Sequence, residues 1–207
     1  MCGIVGYVGL GSAPDGHKFS HNAYDVVLEG LRRQEYRGYD SAGVALVCPD
    51  GIEFRKKAGK LINLENEVAQ APLTESRIGI GHTRWATHGS PTAANAHPHV
   101  AGHIALVHNG IIENFRPLRE EVESLGRTLL SETDSEVVAH LLDIAYSALR
   151  EANPAGDPAL QLREAMAQVT PRLEGTYALL AITADAPGTI VAARRSSPLV
   201  LGVGEGE

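Results

Sequence analysis

The second residue of the chain is a cysteine, and this position can give it two reactive groups. Removal of Met1, which the small Cys2 favours, would leave a thiol and a free α-amine on one residue. An α-amine has a reference pKa of about 7.7 to 8 and a thiol one of about 8.5, so the amine can take the thiol proton near neutral pH. The two groups are badly angled for direct transfer, and we expect a bridging water. Position two alone is weak evidence, because a cysteine there is more often incidental than catalytic.

The histidines raise the alternative of a metal site. The chain has nine, and His97 and His99 lie close to His88 and His103 in the sequence. No cysteine or carboxylate completes a structural site at a familiar spacing. Pro98 also disfavours the regular central strand that would point both neighbouring imidazoles the same way. We therefore expect no metal and no cofactor.

Composition narrows the class of protein. A formal charge of −7 and a sequence pI near 5.7 argue against nucleic-acid binding, which needs clustered Lys and Arg. No apolar run reaches the roughly 20 residues of a membrane span, and the N-terminus lacks a secretory signal. We expect a cytoplasmic protein without membrane contact, with one domain over residues 1–207. Of the two cysteines, Cys48 lies in an apolar segment and is expected to be a small buried hydrophobe.

Hydrophobic periodicity predicts alternating runs of strands and helices. Strands are predicted over residues 4–8, 43–47, 52–55, 78–82, 104–108, 177–183, 189–194 and 199–203. Helices are predicted over residues 23–35, 61–70, 113–125, 133–150 and 159–173. Thr133 and Glu136 form a capping-box pattern, and residues 83–102 read as a long loop. This order favours an α+β fold with antiparallel sheets covered by helices.

Several long motifs give the chain a family resemblance. They are the start MCGIVG, the run YRGYDSAG at residues 36–43, GHTRWATHG at 81–89, NAHPH at 95–99 and HNG at 108–110. In this order they resemble class II glutamine amidotransferase domains, and the likeness runs from Met1 to about Val203. The resemblance implies the N-terminal-nucleophile hydrolase fold, a four-layer αββα sandwich with two antiparallel sheets.

The resemblance also implies catalytic and recognition roles for L-glutamine hydrolysis. Cys2 resembles the nucleophile and its freed amine the general base. Asn109, through its side-chain amide, and Gly110, through its backbone N–H, resemble the oxyanion hole. Arg84 resembles the residue that clamps the α-carboxylate of glutamine, and Asp134 the partner of its α-ammonium group.

Further residues of these motifs match the lining of the glutamine pocket. Trp85 matches an aromatic gate on the ammonia route, and Thr87 and His88 match a loop that closes over the substrate. The remaining matches are Arg37, Gly38 and His97. Taken singly, these residue types fit structural roles as well, such as a surface arginine, a helix-dipole partner, an Asn-Gly turn or a core tryptophan.

Two departures qualify the resemblance. The segment 11–22 is longer than the family usually has before its first helix. The chain also stops at residues 204–207, where the members it most resembles continue into their own C-terminal sugar-phosphate isomerase domains and are expected to be homodimers. This piece should hydrolyse glutamine without forming the amino sugar. The alternatives are a domain of the amidophosphoribosyltransferase or asparagine synthetase type, or a non-catalytic glutamine-binding module.

Overall fold

Two antiparallel β-sheets, stacked face to face, form the centre of the molecule. A computed structural model describes residues 2–9, 21–85 and 89–204. The described residues contain eight strands, four in each sheet. Their helices contain none that is long and apolar enough to cross a membrane.

The first sheet has the strand order β1, β4, β2, β3. Its strands are β1 Gly3–Val8, β2 Ser41–Cys48, β3 Gly51–Ala58 and β4 Ile78–Arg84. Two helices, α1 Ala23–Gln34 and α2 Leu61–Gln70, cover one face of this sheet. Side chains alternate along the central strand β2, because successive residues of a strand point to opposite faces. Val44 and Leu46 pack with the helices, whereas Ala45 and Val47 point to the second sheet.

The second sheet has the strand order β5, β6, β7, β8. Its strands are β5 His99–Ala101, β6 Ile104–Ile112, β7 Gly175–Thr183 and β8 Val191–Arg195. Three helices pack on its outer side, namely α3 Phe115–Ser124, α4 Asp134–Ala152 and α5 Pro158–Val169. Ile104 and Leu106 of β6 belong to this helix-facing core, whereas Ala105 and Val107 face the first sheet.

The apolar layer between the sheets joins the two halves. Ile80 of β4 packs there with Val107 of β6 and with Leu180 and Ile182 of β7, all of them buried. Helices therefore lie outside two sheets that bury their inner faces against each other. This is the four-layer αββα sandwich of the α+β class, and the predicted fold is confirmed.

Most predicted elements are present, and two predictions are wrong. Residues 199–203 are not a strand, because the chain leaves the sheet after Ser196, whose φ is 64°. Val200 and Leu201 are 90% and 89% exposed, so this part of the chain has no neighbouring strand to satisfy its backbone. The predicted loop 83–102 is shorter than expected, because β4 continues to Arg84 and β5 occupies 99–101.

Candidate active site

The predicted catalytic residues meet at one edge of the sandwich, where strand ends from both sheets come together. Cys2 directly precedes β1, and Gly3 pairs with Thr83 on the neighbouring strand β4. This register places Cys2 beside Arg84 and Trp85 at the end of β4. The second sheet contributes Asn109 and Gly110 from β6.

The thiol of Cys2 is held by the backbone of Trp85. Its Sγ accepts a hydrogen bond from the Trp85 N–H at 3.2 Å and lies 3.6 Å from the Trp85 carbonyl oxygen. Burial raises the pKa of the Cys2 thiol, and the Trp85 N–H and the charge of Arg84 oppose that rise only in part. The sulfur is therefore protonated at neutral pH, and it needs a base before it can attack a substrate.

The side chain of Asn109 is oriented by a buried histidine. His82 Nε2 lies 3.0 Å from the His108 carbonyl oxygen and 2.9 Å from Asn109 Oδ1. Because a carbonyl oxygen can only accept, the proton is on Nε2, and Asn109 presents its oxygen to His82. The amide Nδ2 of Asn109 consequently points to Cys2, where it donates to the carbonyl oxygen of Cys2 at 3.2 Å.

Gly110 is required by the backbone of β6. Its φ is 139°, in the region that favours glycine. A Cβ at this position would also collide with the carbonyl oxygen of Thr176 on β7. The strand can therefore present Asn109 and the backbone of Gly110 beside Cys2 only without a side chain here.

A small polar cavity adjoins the thiol, and two residues of opposite charge line it. Besides Cys2 and Gly110, its walls include Arg84, His97 and Asp134. Arg84 is buried, and its guanidinium donates to the carbonyl oxygens of Gly89 and Ser90, each at 3.3 Å. Burial lowers the pKa of Arg84, while the negative charges nearby, including Asp134, oppose this change.

Asp134 is fixed at the first turn of α4. Its Oδ2 accepts the Ile112 N–H at 2.8 Å, and its Oδ1 accepts the Ser135 hydroxyl at 3.2 Å. A carboxylate in the first turn of a helix complements the helix dipole, which is the structural role that the sequence analysis offered for Asp134. It also lines the cavity beside Arg84, so both roles are compatible with one position.

Four buried, uncharged histidines, His82, His97, His99 and His108, cluster near the thiol. The ring centroids of His82 and His97 are 4.1 Å apart, and those of His97 and His99 are 4.7 Å apart. Burial lowers the pKa of His82 to about 3 and holds the pKa values of His97 and His99 well below the usual range. His108 shows the same direction for the same reason, and its Nδ1 contacts the Ser135 hydroxyl at 2.8 Å. These rings provide polar atoms without positive charge at neutral pH.

The structure describes the histidines of the predicted cluster only in part, since His88 lies outside the described residues. Within residues 2–9, 21–85 and 89–204, no group of three His, Cys, Asp or Glu side chains could hold a metal ion. The absence of a cofactor stays a prediction. Cys48 is buried as predicted, 3.8 Å from the Thr74 carbonyl oxygen, and burial raises its pKa to about 11.

Trp85 lines both the polar cavity and an open cleft of about 560 Å³. The residue is 44% exposed, and its ring makes a T-shaped contact with the ring of Tyr39, with centroids 5.5 Å apart. Arg37 lines the cleft, and Gly38 lies against the strand end, where a Cβ would approach the Arg84 carbonyl carbon to 2.8 Å. The core-packing alternative for the tryptophan is therefore wrong, because Trp85 is an exposed residue.

Thr87 and His88, predicted to close over the substrate, lie outside the described residues. The residues near the thiol that the sequence interpretation missed as site residues include His82 and Ser135. His82 stands inside the motif at 81–89, but only its burial behind Asn109 shows that it orients the amide. Ser135 follows Asp134 and had no signal of its own.

The solved structures with this architecture include amidotransferases. The glutamine phosphoribosylpyrophosphate amidotransferase of B. subtilis superposes with a TM-score of 0.65 at 23% identity, covering 93% of this chain and 37% of that chain. A structure described as the allosteric regulatory enzyme of purine biosynthesis gives a TM-score of 0.63 at 24% identity, covering 88% and 36%. At this level of identity the likeness establishes the fold alone.

The sequence comparison establishes the family. Residues 82–206 match the family model described as a glutamine amidotransferase domain. The chain therefore belongs to the glutamine amidotransferase family, and the resemblance to its class II members is confirmed.

Curated relatives are considerably more similar than the solved structures. Proteins named glutamine–fructose-6-phosphate aminotransferase (isomerizing) are 56% identical in Streptomyces coelicolor, 58% in Corynebacterium diphtheriae and 52% in Mycobacterium tuberculosis. Each match covers 100% of this chain but only 31%, 32% and 31% of the relative. The chain thus spans about a third of the length of these relatives.

Proposed function

We propose that Cys2, after removal of Met1, is the nucleophile that hydrolyses L-glutamine to glutamate and ammonia. The observation that carries this proposal is a single cavity lined by Cys2, Arg84 and Asp134. A thiol, a guanidinium and a carboxylate match the side-chain amide, the α-carboxylate and the α-ammonium group of one free amino acid.

The reaction begins with activation of the thiol. The α-amine of Cys2 takes the Sγ proton through a water molecule. A base is required because the raised pKa keeps the thiol protonated at neutral pH. The thiolate then attacks the side-chain carbonyl carbon of glutamine, and the carbonyl oxygen gains the negative charge. Asn109 Nδ2 and the Gly110 N–H donate to this oxygen, and such donors typically stabilise the transition state by about 3 kcal/mol each.

Ammonia leaves when the tetrahedral intermediate collapses. The protonated α-amine gives its proton to the departing nitrogen, and a γ-glutamyl thioester remains on Cys2. Water, deprotonated by the same amine, attacks the thioester carbon, and glutamate departs as the Cys2 sulfur regains its proton. The buried histidines are neutral and therefore place no second positive charge beside the developing oxyanion. Neither ring nitrogen of His97 has a hydrogen-bond partner within the described residues.

We also propose the wider context of the reaction. The relatives' names support ammonia transfer to fructose 6-phosphate, which would give glucosamine 6-phosphate in a longer protein that carries isomerase domains. In this proposal residues 1–207 are the single glutaminase domain of a cytoplasmic homodimer. Trp85 is its gate on the ammonia route, Thr87 and His88 belong to the closing loop, and Arg37 and Gly38 border the nucleophile.

Labelling with 6-diazo-5-oxo-norleucine, a glutamine-like electrophile, tests the nucleophile by intact mass. We expect one adduct on an N-terminal Cys2 that lacks Met1, and no adduct on Cys2→Ala. Cys48→Ala is the matched control and should label like the wild type, because the Cys48 thiol is buried with a pKa of about 11. An adduct on Cys48, or full turnover by protein that retains Met1, would refute the proposal.

A further inference from the structure

The side-chain amide of Asn95 joins two segments of the site. Asn95 is buried, and its Nδ2 donates to the Ser90 carbonyl oxygen at 2.9 Å and to Glu132 Oε2 at 3.2 Å. Its Oδ1 accepts the Glu132 N–H at 2.9 Å. We call this set of contacts the Asn95–Glu132 clasp.

The two joined segments hold the two charged residues of the cavity. The Ser90 carbonyl oxygen that accepts from Asn95 also accepts from Arg84 Nη1. Glu132 precedes Thr133, the N-cap of α4, and Asp134 is the first residue of that helix. One amide therefore connects an acceptor of the Arg84 guanidinium to the backbone that sets the position of Asp134.

The clasp is closely packed. Gly89 has a φ of 75°, and a Cβ on it would come within 2.7 Å of Asn95 Nδ2 and within 3.3 Å of Glu132 Cβ. Only a glycine lets the chain cover the clasp at this distance. The tight fit favours a fixed separation between the segments.

The same loop has a second, independent anchor. The ammonium group of Lys56 donates to the carbonyl oxygens of Ala94, Ala96 and Pro98 at 3.2, 2.9 and 3.3 Å. Loss of the clasp would therefore loosen the loop on the Ser90 side while Lys56 still holds the other side. This makes a specific effect on Arg84 separable from unfolding of the loop.

We propose that the Asn95–Glu132 clasp is a positioning device, which sets the spacing between Arg84 and Asp134 and so selects a free α-amino acid. The inference rests on the proposed function, in which these residues bind the two α-groups of glutamine. Those groups are a fixed distance apart, and a misplacement of about 1 Å in a site of this kind can cost on the order of 100-fold in rate. Asn95 itself does not touch the substrate in this proposal.

Two reagents for the same thiol test the clasp. Labelling by 6-diazo-5-oxo-norleucine requires recognition of the α-groups, whereas alkylation by iodoacetamide requires only an accessible sulfur. For Asn95→Ala we expect the second-order labelling rate with the amino-acid reagent to fall about tenfold or more. The alkylation rate should stay within about twofold of the wild type, because Cys2 Sγ is held by Trp85 and not by the clasp.

Asn114→Ala is the matched control. Its amide likewise joins two backbone groups, donating to the Arg172 carbonyl oxygen at 2.8 Å and accepting the Glu174 N–H at 3.0 Å. Loss of these contacts should leave the ratio of the two labelling rates unchanged. Glu132→Gln keeps an acceptor for Asn95 and should label nearly as the wild type does, whereas Glu132→Ala should shift the ratio in the same direction as Asn95→Ala.

The outcomes separate this inference from the proposed function. If the two rates fall together in Asn95→Ala, or if neither changes, the clasp has no role in α-group recognition. If the amino-acid reagent fails to label Cys2 in the wild type, the proposed function itself is wrong. If the wild type and Asn95→Ala are both labelled by the amino-acid reagent at the same rate, the role of the clasp is refuted and the proposed function is not.

Discussion

At the scale of single residues, the site depends on where backbone groups point. Cys2 Sγ accepts from the Trp85 N–H, and Cys2 offers its own carbonyl oxygen to Asn109. The proposed nucleophile is thus held at both ends by groups whose positions follow from strand register. The side chain that orients Asn109 is His82, whose burial lowers its pKa to about 3 and keeps it neutral.

Gly110→Ala should damage both stability and chemistry. A left-handed backbone costs a residue with a Cβ about 1 to 2 kcal/mol, and overpacking against the Thr176 carbonyl adds a similar amount. We expect a loss of more than about 2 kcal/mol in the free energy of unfolding by urea. Turnover of glutamine should fall about 100-fold or more, because the proposed oxyanion donors would move.

Gly126→Ala is the matched control for this change. Gly126 also has a positive φ, 78°, but no atom lies within 4 Å of the place that its Cβ would take. Gly126→Ala should therefore show only the cost of the backbone strain, a loss of about 1 kcal/mol in the free energy of unfolding, and its turnover of glutamine should be unchanged. Equal effects of the two substitutions would contradict the collision with Thr176.

At the scale of elements, the start of α4 organises the second half of the site. Thr133 Oγ1 accepts the Glu136 N–H at 3.3 Å, so half of the predicted capping box is present. The Glu136 carboxylate does not return to the N-cap but accepts the N–H groups of Leu130 and Ser131 at 2.8 and 2.6 Å. This carboxylate therefore fixes the segment that leads into Asp134.

Glu136→Gln should reveal this contribution through its dependence on pH. Burial would raise the pKa of Glu136, but contacts with His140, Leu130 and Ser131 outweigh it and lower the pKa to about 2. A lowered pKa stabilises the fold above the ordinary value of about 4.5, and this stability is lost as the pH falls towards 2.

Urea unfolding of Glu136→Gln and wild type at several pH values measures the effect. At pH 7 the variant should be less stable by about 2 kcal/mol, and the difference should shrink between pH 4.5 and 2. Glu120→Gln, at an exposed position of α3, should show little change at either end of the range. A difference for Glu136→Gln that stays constant below pH 4 would contradict the assignment.

Much of the fold could be predicted from the sequence, because strand and helix periodicities are strong where one face is buried. The helix over residues 61–70 has the predicted bounds, and the hairpin around residue 50 is longer than predicted but correctly placed. The strand predicted over 199–203 failed because alternation of apolar residues cannot show whether a neighbouring strand exists. β5 was missed because three residues after a proline carry too little periodic signal.

The site residues could be predicted only through motifs. Cys2, Arg84, Asn109, Gly110 and Asp134 are brought together as the resemblance implied, although their roles stay predictions. Lys56 and Asn95 had no signal as positioning residues, because Lys56 contacts backbone oxygens about 40 residues away and Asn95 reaches Glu132, 37 residues away. Such contacts depend on tertiary packing and leave no spacing pattern.

At the scale of the whole molecule, the site straddles the joint between the two sheets. Cys2 and Arg84 belong to the first sheet, whereas Asn109, Gly110 and Asp134 belong to the second sheet and its helix. Their relative positions therefore depend on the apolar layer between the sheets. A cavity in that layer should disturb catalysis even though it is remote from the thiol.

Ile80→Ala tests this dependence. Ile80 is fully buried between the sheets, and such truncations cost about 2 to 5 kcal/mol. We expect this loss of unfolding free energy together with slower labelling of Cys2 by the glutamine-like electrophile. Ile62→Ala, on the 52% exposed side chain of α2, is the matched control and should change neither quantity by much. Normal labelling of a strongly destabilised Ile80→Ala would contradict the link between layer and site.

The wide sequence separation of the partners of Cys2 bears on how the protein is made. The reactive residue is the second to be synthesised, yet the amide that contacts it comes 107 residues later, and Asp134 later still. The residues that contact the thiol from the first sheet, Trp85 among them, are made before Asn109 and Gly110 of β6. If Asn109 and Gly110 supply the proposed oxyanion donors, we expect a chain that stops short of β6 to cleave no glutamine, however well its first sheet has formed.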